Sequence, residues 1–284
     1  MKQRFKLAAL AALALAVLAV GATAGSASAD SSGKANVCHR TDNGSFHLIN
    51  VSVNAVPTLL AQGDGLPGHE VLGVPGVFAA NCAIVQVANC AAIRALDPTA
   101  GDGNYTILGG PAPGQAFTVY CYDMAGTPTE YLNLVNTAST ANFSQYTAGG
   151  PAFGTDVRTS YTKLRLDPAT LLVDTNDQTF ATSTGFLVHP FNTPVYSMPY
   201  GSAMDCQDFF SSTGIANIDL TGTPFTVAST FSVGGFVPNG SIATSSNGQV
   251  VDLTGGGFCG WASLDGSFDP FNQNGLPMQL AFLP

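Results

Sequence analysis

Between Cys90 and Met124 the chain reads CAAIRALDPTAGDGNYTILGGPAPGQAFTVYCYDM, and this stretch constrains the fold more than any other. An Ala-rich helical turn, residues 90 to 96, is broken by Asp97 and Pro98. Two strands follow, residues 104 to 108 and 116 to 122, joined by a Gly/Pro loop. Tyr105 and Ile107, then Phe117, Val119 and Cys121, alternate with smaller or polar neighbours, as half-buried strands do. Gly101 and Gly103 flank Asp102 and suit a sharp turn into the first strand, because glycine takes positive φ without a Cβ clash. The expectation is a hairpin beside a short helix.

Residues 1 to 29 carry Lys2, Arg4 and Lys6, an apolar run from Leu7, and small residues ending in Ala27-Ser28-Ala29. This is the pattern of a secretory signal peptide with an A-x-A cleavage site, and the short Ala-rich run argues against a membrane anchor. Removing it takes three of the nine basic residues and none of the eighteen acids, so the mature chain carries 6 − 18 = −12. Nucleic acid and anionic membrane both require clustered Lys and Arg. The expected partners are therefore an extracellular protein or glycan, with no nucleic acid and no membrane once the signal is cleaved.

All six cysteines, Cys38, Cys82, Cys90, Cys121, Cys206 and Cys259, lie beyond the signal, in a compartment where disulfides persist. Six cysteines allow fifteen pairings. Only 10% of the residues are charged, while Gly, Thr, Ser and Asn abound and turn signals recur about every ten residues. That composition argues for short strands and many loops. The expected fold is β-rich α+β, with short-stranded antiparallel sheets, few short helices, disulfide stabilisation and a small N-terminal subdomain.

That subdomain, residues 30 to 89, opens on Cys38-His39-Arg40-Thr41, turns at Asn43-Gly44 and continues as an alternating strand from Phe46 to Val53. A short helix with Pro57 in its first turn follows and ends at Gly63-Asp64-Gly65. The pattern resembles a short Cys-His segment of various exported bacterial proteins. In those a His-x-x-His pair precedes the Gly-Asp turn, and here Leu59 and Gln62 stand in its place. The domain boundary is expected between residues 82 and 90.

The main domain, residues 90 to 284, carries five blocks that resemble the GON domain, the C-terminal module of some secreted ADAMTS-type zinc metalloproteases. They are Cys-x-x-Ile with Asp-Gly-x-Tyr and Val-Tyr-Cys-x-Asp-Met from Cys90 to Met124, then Lys-x-Arg-x-Asp-Pro from Lys163 with Val173-Asp174, then Pro199-Tyr200-Gly201-Ser202, then Ala216 to Phe225, and last Gly255 to Trp261. The opening also resembles the N-terminal subdomain of fibrinogen-like domains, where the two matching cysteines are bridged. The resemblance, with hairpin geometry, implies a Cys90 to Cys121 bond. With spacing it suggests Cys38 to Cys82 and Cys206 to Cys259.

Within this domain, residues 129 to 134 alternate as a strand, 136 to 154 read as a polar Gly-rich loop, and 161 to 166, 170 to 174 and 178 to 182 read as three strands. No catalytic carrier emerges. His69-Glu70 lacks the second histidine of a zinc-protease helix, since Gly73 occupies that position. His189 precedes Pro190 with no Gly-x-Ser-x-Gly elbow anywhere, and both Ser-x-x-Lys matches, at Ser31 and Ser160, lack companion motifs. The two glutamates are Glu70 and Glu130, and most aspartates stand in turns. A zinc set of Cys38, His39, His47 and Cys82 fits no closed structural spacing. Calcium is the more plausible ion for an acidic exported chain, at Asp174, Asn176 and Asp177 or at Asp265, Asp269, Asn272 and Asn274. Otherwise no cofactor is expected, and zinc enters only through the metallopeptidase association.

One cluster stands out. Arg158, Lys163 and Arg165 account for half of the mature chain's six basic residues, and Lys163 and Arg165 are expected to share a strand face with Tyr161, where the cluster either pairs with neighbouring Asp residues or forms an anion or acidic-glycan patch. The resemblance implies a secreted, non-catalytic binding or adhesion module. A protein associated with a zinc metallopeptidase and a structural matrix protein are the alternatives.

Overall fold

The structure is a computed structural model that describes residues 33–69, 71, 76–111 and 114–284. The signal-peptide segment, Glu70 and Gly73 lie outside these residues. Among the described residues the fold is β-rich, with several sheets, two α-helices and three disulfides, Cys38–Cys82, Cys90–Cys121 and Cys206–Cys259.

The anticipated hairpin forms between Gly103–Gly109 and Gln115–Tyr122, and Cys121 ties it to the helix Cys90–Leu96. Asn89 caps that helix by accepting from the Ala92 N–H at 2.7 Å, which satisfies one of the orphan donors of its first turn. The helix ends at Asp97, before Pro98, as a proline demands of its predecessor.

From this hairpin a seven-stranded antiparallel sheet extends through Thr129–Asn133, Lys163–Asp167, Leu172–Asp174, Met278–Phe282 and Phe225–Val227. A nine-stranded sheet faces it, and one core draws on both: Ile107, Val119, Leu132 and Leu164 from the first, Ala216, Ile218, Val251 and Leu253 from the second. Each fully buried aliphatic side chain contributes roughly 1.5 to 3 kcal/mol. The opposite face of the nine-stranded sheet supplies Tyr146, Met204 and Trp261 to a second core with Leu187 and Val195, which belong to a three-stranded sheet. Alternate residues of one strand thus serve two cores, as period-two geometry allows: Ala203 points one way and Met204 the other.

Two expectations are corrected here. The segment 136 to 154 is not a loop, because Phe143–Thr147 lies inside the nine-stranded sheet, antiparallel to Val157–Tyr161 and Gly214–Asp219 and parallel to Ala203–Asp205. Ser144 and Gln145 conceal the alternation, and two of its three partner strands, Ala203–Asp205 and Gly214–Asp219, are distant in sequence. Residues 161 to 166 are not one strand either. Val157–Tyr161 ends in the nine-stranded sheet and Lys163–Asp167 begins in the seven-stranded one. Thr162 is the crossing point, its N–H and hydroxyl both donating to the Phe180 carbonyl at 3.0 Å.

The N-terminal hairpin pairs Lys34–Arg40 with Phe46–Ser52 and carries small cores of its own. Val77 and Val87 nevertheless pack in the main core with Cys90 and Ile93.

Candidate ligand-binding surface

The outward face of the seven-stranded sheet gathers an aromatic and cationic surface through strand register. Tyr120 stands opposite Tyr131, Tyr131 opposite Arg165, and Asn133 opposite Lys163, so these side chains share one face. Phe180 arrives from the segment before Ala181–Thr184 and is held by the Thr162 bonds to its carbonyl. Its ring meets Tyr120 at 5.6 Å, Tyr122 at 5.3 Å and Tyr131 at 4.7 Å, all edge to face. Edge-to-face rings place the positive rim of one against the negative face of the next.

Lys163 sits between two of these rings, its Nζ 4.8 Å from the Tyr120 centroid and 4.9 Å from that of Phe180. The ring quadrupoles hold a cation there without neutralising it. Arg165 is half exposed and lies 3.7 Å from Asp177, whose carboxylate also accepts from the Tyr131 hydroxyl at 3.1 Å. Burial pushes the Tyr131 hydroxyl above the ordinary tyrosine range, so it remains a donor. Asn133 donates to Asn104 at 2.9 Å and leaves amide groups at the edge of the surface.

Arg165 also lines an open cleft of about 850 Å³ with Glu130, Asp167, Asp174 and Asn89. Burial raises Glu130 above the usual glutamate range despite the Cys90 N–H that it accepts at 2.6 Å. Asp167 is also pushed up by burial, but hydrogen bonds from Ala169 and Thr170 outweigh that and hold it low. Both carboxylates are thus committed to holding main chain.

The expected patch is partly assembled. Lys163 and Arg165 share the face, whereas Tyr161 does not: it is buried between the sheets, donates to the Met198 carbonyl at 2.6 Å and packs against Tyr200. The crossing at Thr162 turns it inward, and Tyr120 and Tyr122 stand in its place. Arg158 belongs to the other sheet, with its guanidinium 3.4 Å from the Phe143 ring and hydrogen-bonded to Gln145 and the Ser139 carbonyl. Tyr120-x-Tyr122 on an alternating strand is a sequence signal for two rings on one face. Nothing local announces Phe180.

The other candidate ligand sets have structural roles. Cys38 and Cys82 are bonded to each other, and His39 is fixed by Asp64 at 2.9 Å. Asn176 pins Gly275 through its amide and its carbonyl oxygen, while Asp174 and Asp177 accept turn N–H groups. In the second calcium set, Asn272 braces Pro194 and Tyr196. Burial pushes Asp269 above the usual carboxylate range, and it faces His189, which burial holds below the ordinary histidine range. His189 is a strand-end residue bonded to the Tyr146 hydroxyl at 2.7 Å.

Two packed sheets braced by buried disulfides, with an aromatic and cationic outer face, define a β domain of extracellular type. A model of the GON domain matches residues 87–149 and 153–268, well over half of the chain, and the chain belongs to that family. The match takes in the Cys90–Cys121 and Cys206–Cys259 bridges, and Cys38–Cys82 lies outside it. No curated protein and no solved structure matches the chain. Among the described residues no helix is long and apolar enough to cross a membrane.

Proposed function

We propose that this chain is a secreted, non-catalytic binding module that takes an acidic glycan on the outer face of its seven-stranded sheet. The observation that supports it best is Lys163, held between Tyr120 and Phe180 beside a half-exposed Arg165. The exposed Tyr122 and the half-buried Tyr120 and Phe180 offer apolar ring surface to a sugar, and Lys163 and Arg165 add cations that select a carboxylate or sulfate on it. On a mature chain of net charge −12 two cations on one strand face are unusual; Arg165 is shared with Asp177 and stands opposite Asp174, so Lys163, backed by rings alone, is the cation that discriminates against neutral sugars.

An array of uronate-bearing, sulfated and neutral oligosaccharides tests the reading. Acidic members should bind, and affinity should fall with salt. Lys163→Ala with Arg165→Ala should weaken binding roughly tenfold or more, as expected for loss of two charge-assisted contacts. Tyr122→Ala should weaken it less and without changing the salt dependence. Unchanged binding in the double variant would sink the reading, and so would one equivalent of tightly held zinc with chelator-sensitive proteolysis.

A further inference from the structure

One end of the nine-stranded sheet carries a crown of exposed phenylalanines that the glycan face does not use. Strand register places the loops after Thr147, Asp205, Gly235 and Gly255 at this same end. They carry Phe153, Phe209, Phe210, Phe236 and Phe258, and Phe186 joins them from the start of the strand Leu187–His189. Phe210 is 87% exposed, Phe236 67% and Phe153 63%. Phe258 is the hub: Phe209 stacks on it at 5.2 Å and Phe236 meets it edge-on at 6.0 Å. Scattered exposed apolar residues are ordinary, but five exposed rings around a half-buried Phe258 at one end of a sheet mark an interaction surface.

The loops are braced against one another. Cys206 is bonded to Cys259, Asn239 donates to the carbonyls of Phe210 and Ser211, and Gly257 donates to Ser211. Gly150, at a φ of +52°, lies so close to the Gln207 carbonyl that a Cβ there would overlap it. Main-chain polar groups are thereby satisfied inside the crown while the rings point out.

Charge identifies the occupant. Residues 148–156, 185–187, 206–213, 235–240 and 256–259 contain no Lys, Arg or His. Their two aspartates are exposed and brace the loops: Asp156 accepts from the Ala148 N–H, and Asp208 from the N–H groups of Phe210 and Ser211. Rings on separate projecting loops with no cation among them match a surface that makes no directional demand and offers no negative charge. We infer that the crown inserts its phenylalanines into the interface of an electrically neutral lipid bilayer. The sequence-based expectation of no membrane partner rests on missing Lys and Arg clusters, and insertion of this kind needs none. The inference stands independently of the glycan reading.

Co-sedimentation of the mature chain with phosphatidylcholine vesicles tests it. The wild type should partition with the vesicles equally at about 50 and 500 mM salt, because no screened charge is involved. Phe210→Ser with Phe236→Ser should lower partitioning roughly tenfold or more, given the apolar area removed. Phe191→Ser is the control: Phe191 is 99% exposed, but it lies in the turn after His189, away from the crown, and should change nothing. Four results would overturn the inference. They are wild-type protein left in the supernatant, partitioning that needs phosphatidylserine and vanishes in salt, an equal loss in Phe191→Ser, or a wild-type dimer in light scattering that the double variant makes monomeric.

Discussion

The glycan face and the phenylalanine crown are assembled by opposite means. On the seven-stranded sheet, register alone brings Tyr120, Tyr131, Arg165 and Lys163 together, and each cation is backed by a ring or a carboxylate. At the end of the nine-stranded sheet only Phe153 sits in a ladder, opposite Val188, and the other rings stand on loops or beside strand ends. A disulfide, an asparagine and glycines in close approach hold four loops in place, and no cation is present. The ladder fixes directions, so it suits a ligand recognised by placed charges. The loops fix only height and outward aim, which is sufficient for a partner that is itself fluid and uncharged.

The largest effect that separates the two regions should come from their bridges. Replacing Cys206 and Cys259 together by Ser should cost about 2 to 5 kcal/mol in a thermal or denaturant melt. Below the melting transition it should release the chain from vesicles and leave glycan binding in place, because the bridge ties crown loops only. Replacing Cys90 and Cys121 should cost a similar amount and weaken glycan binding instead. That bridge joins the helix Cys90–Leu96 to the strand bearing Tyr120 and Tyr122. If either pair of substitutions removed both activities at once, the two regions would not be separate devices.

Their legibility in the sequence differs for the same physical reason. The hairpin from Gly103 to Tyr122, the short helix before it and Lys163 and Arg165 on one strand follow from periodicity two and from turn residues, which are local. Tyr161 misleads because Thr162 carries the chain from one sheet to the other, and a two-residue period runs through that crossing unmarked. Phe143–Thr147 is hidden because its Ser144 is buried, as a polar residue read from sequence would not be. The crown is invisible in any window, since Phe153 and Phe258 meet at one end of the sheet only after the strands between them have paired. The polar centre between the sheets is likewise nonlocal: Asn142, fully buried, donates to the carbonyls of Asn136 and Asp219 and accepts from the Tyr200 hydroxyl.

A second, smaller contrast concerns pH. Burial raises Glu130, so the fold favours its protonated form. The associated stability is fully present below the unfolded glutamate value and is lost as pH rises through the higher folded value. The wild type should therefore lose stability across a window just above the ordinary glutamate range. Glu130→Gln should flatten that part of the profile, read as denaturation midpoints in a pH series. Vesicle partitioning should be level across the same window, since Glu130 lies on the cleft beside Arg165 and not in the crown. A profile unchanged by Glu130→Gln would mean that Glu130 is not the group responsible.

The smallest effect bears most directly on what each surface is for. Lys163→Ala should cost about 0.5 to 1 kcal/mol, the worth of a partly exposed cation held over aromatic rings. Phe210→Ser should stay within about 0.5 kcal/mol of the wild type, because a ring 87% exposed has little burial to lose. A crown ring that projects without stabilising the fold can be removed at little cost to it, whereas Lys163 contributes to the fold and to its ligand. Paired denaturation curves decide the matter. If Phe210→Ser proved the more destabilising of the two, its ring would be packed into the loops, and the crown would be a structural cap.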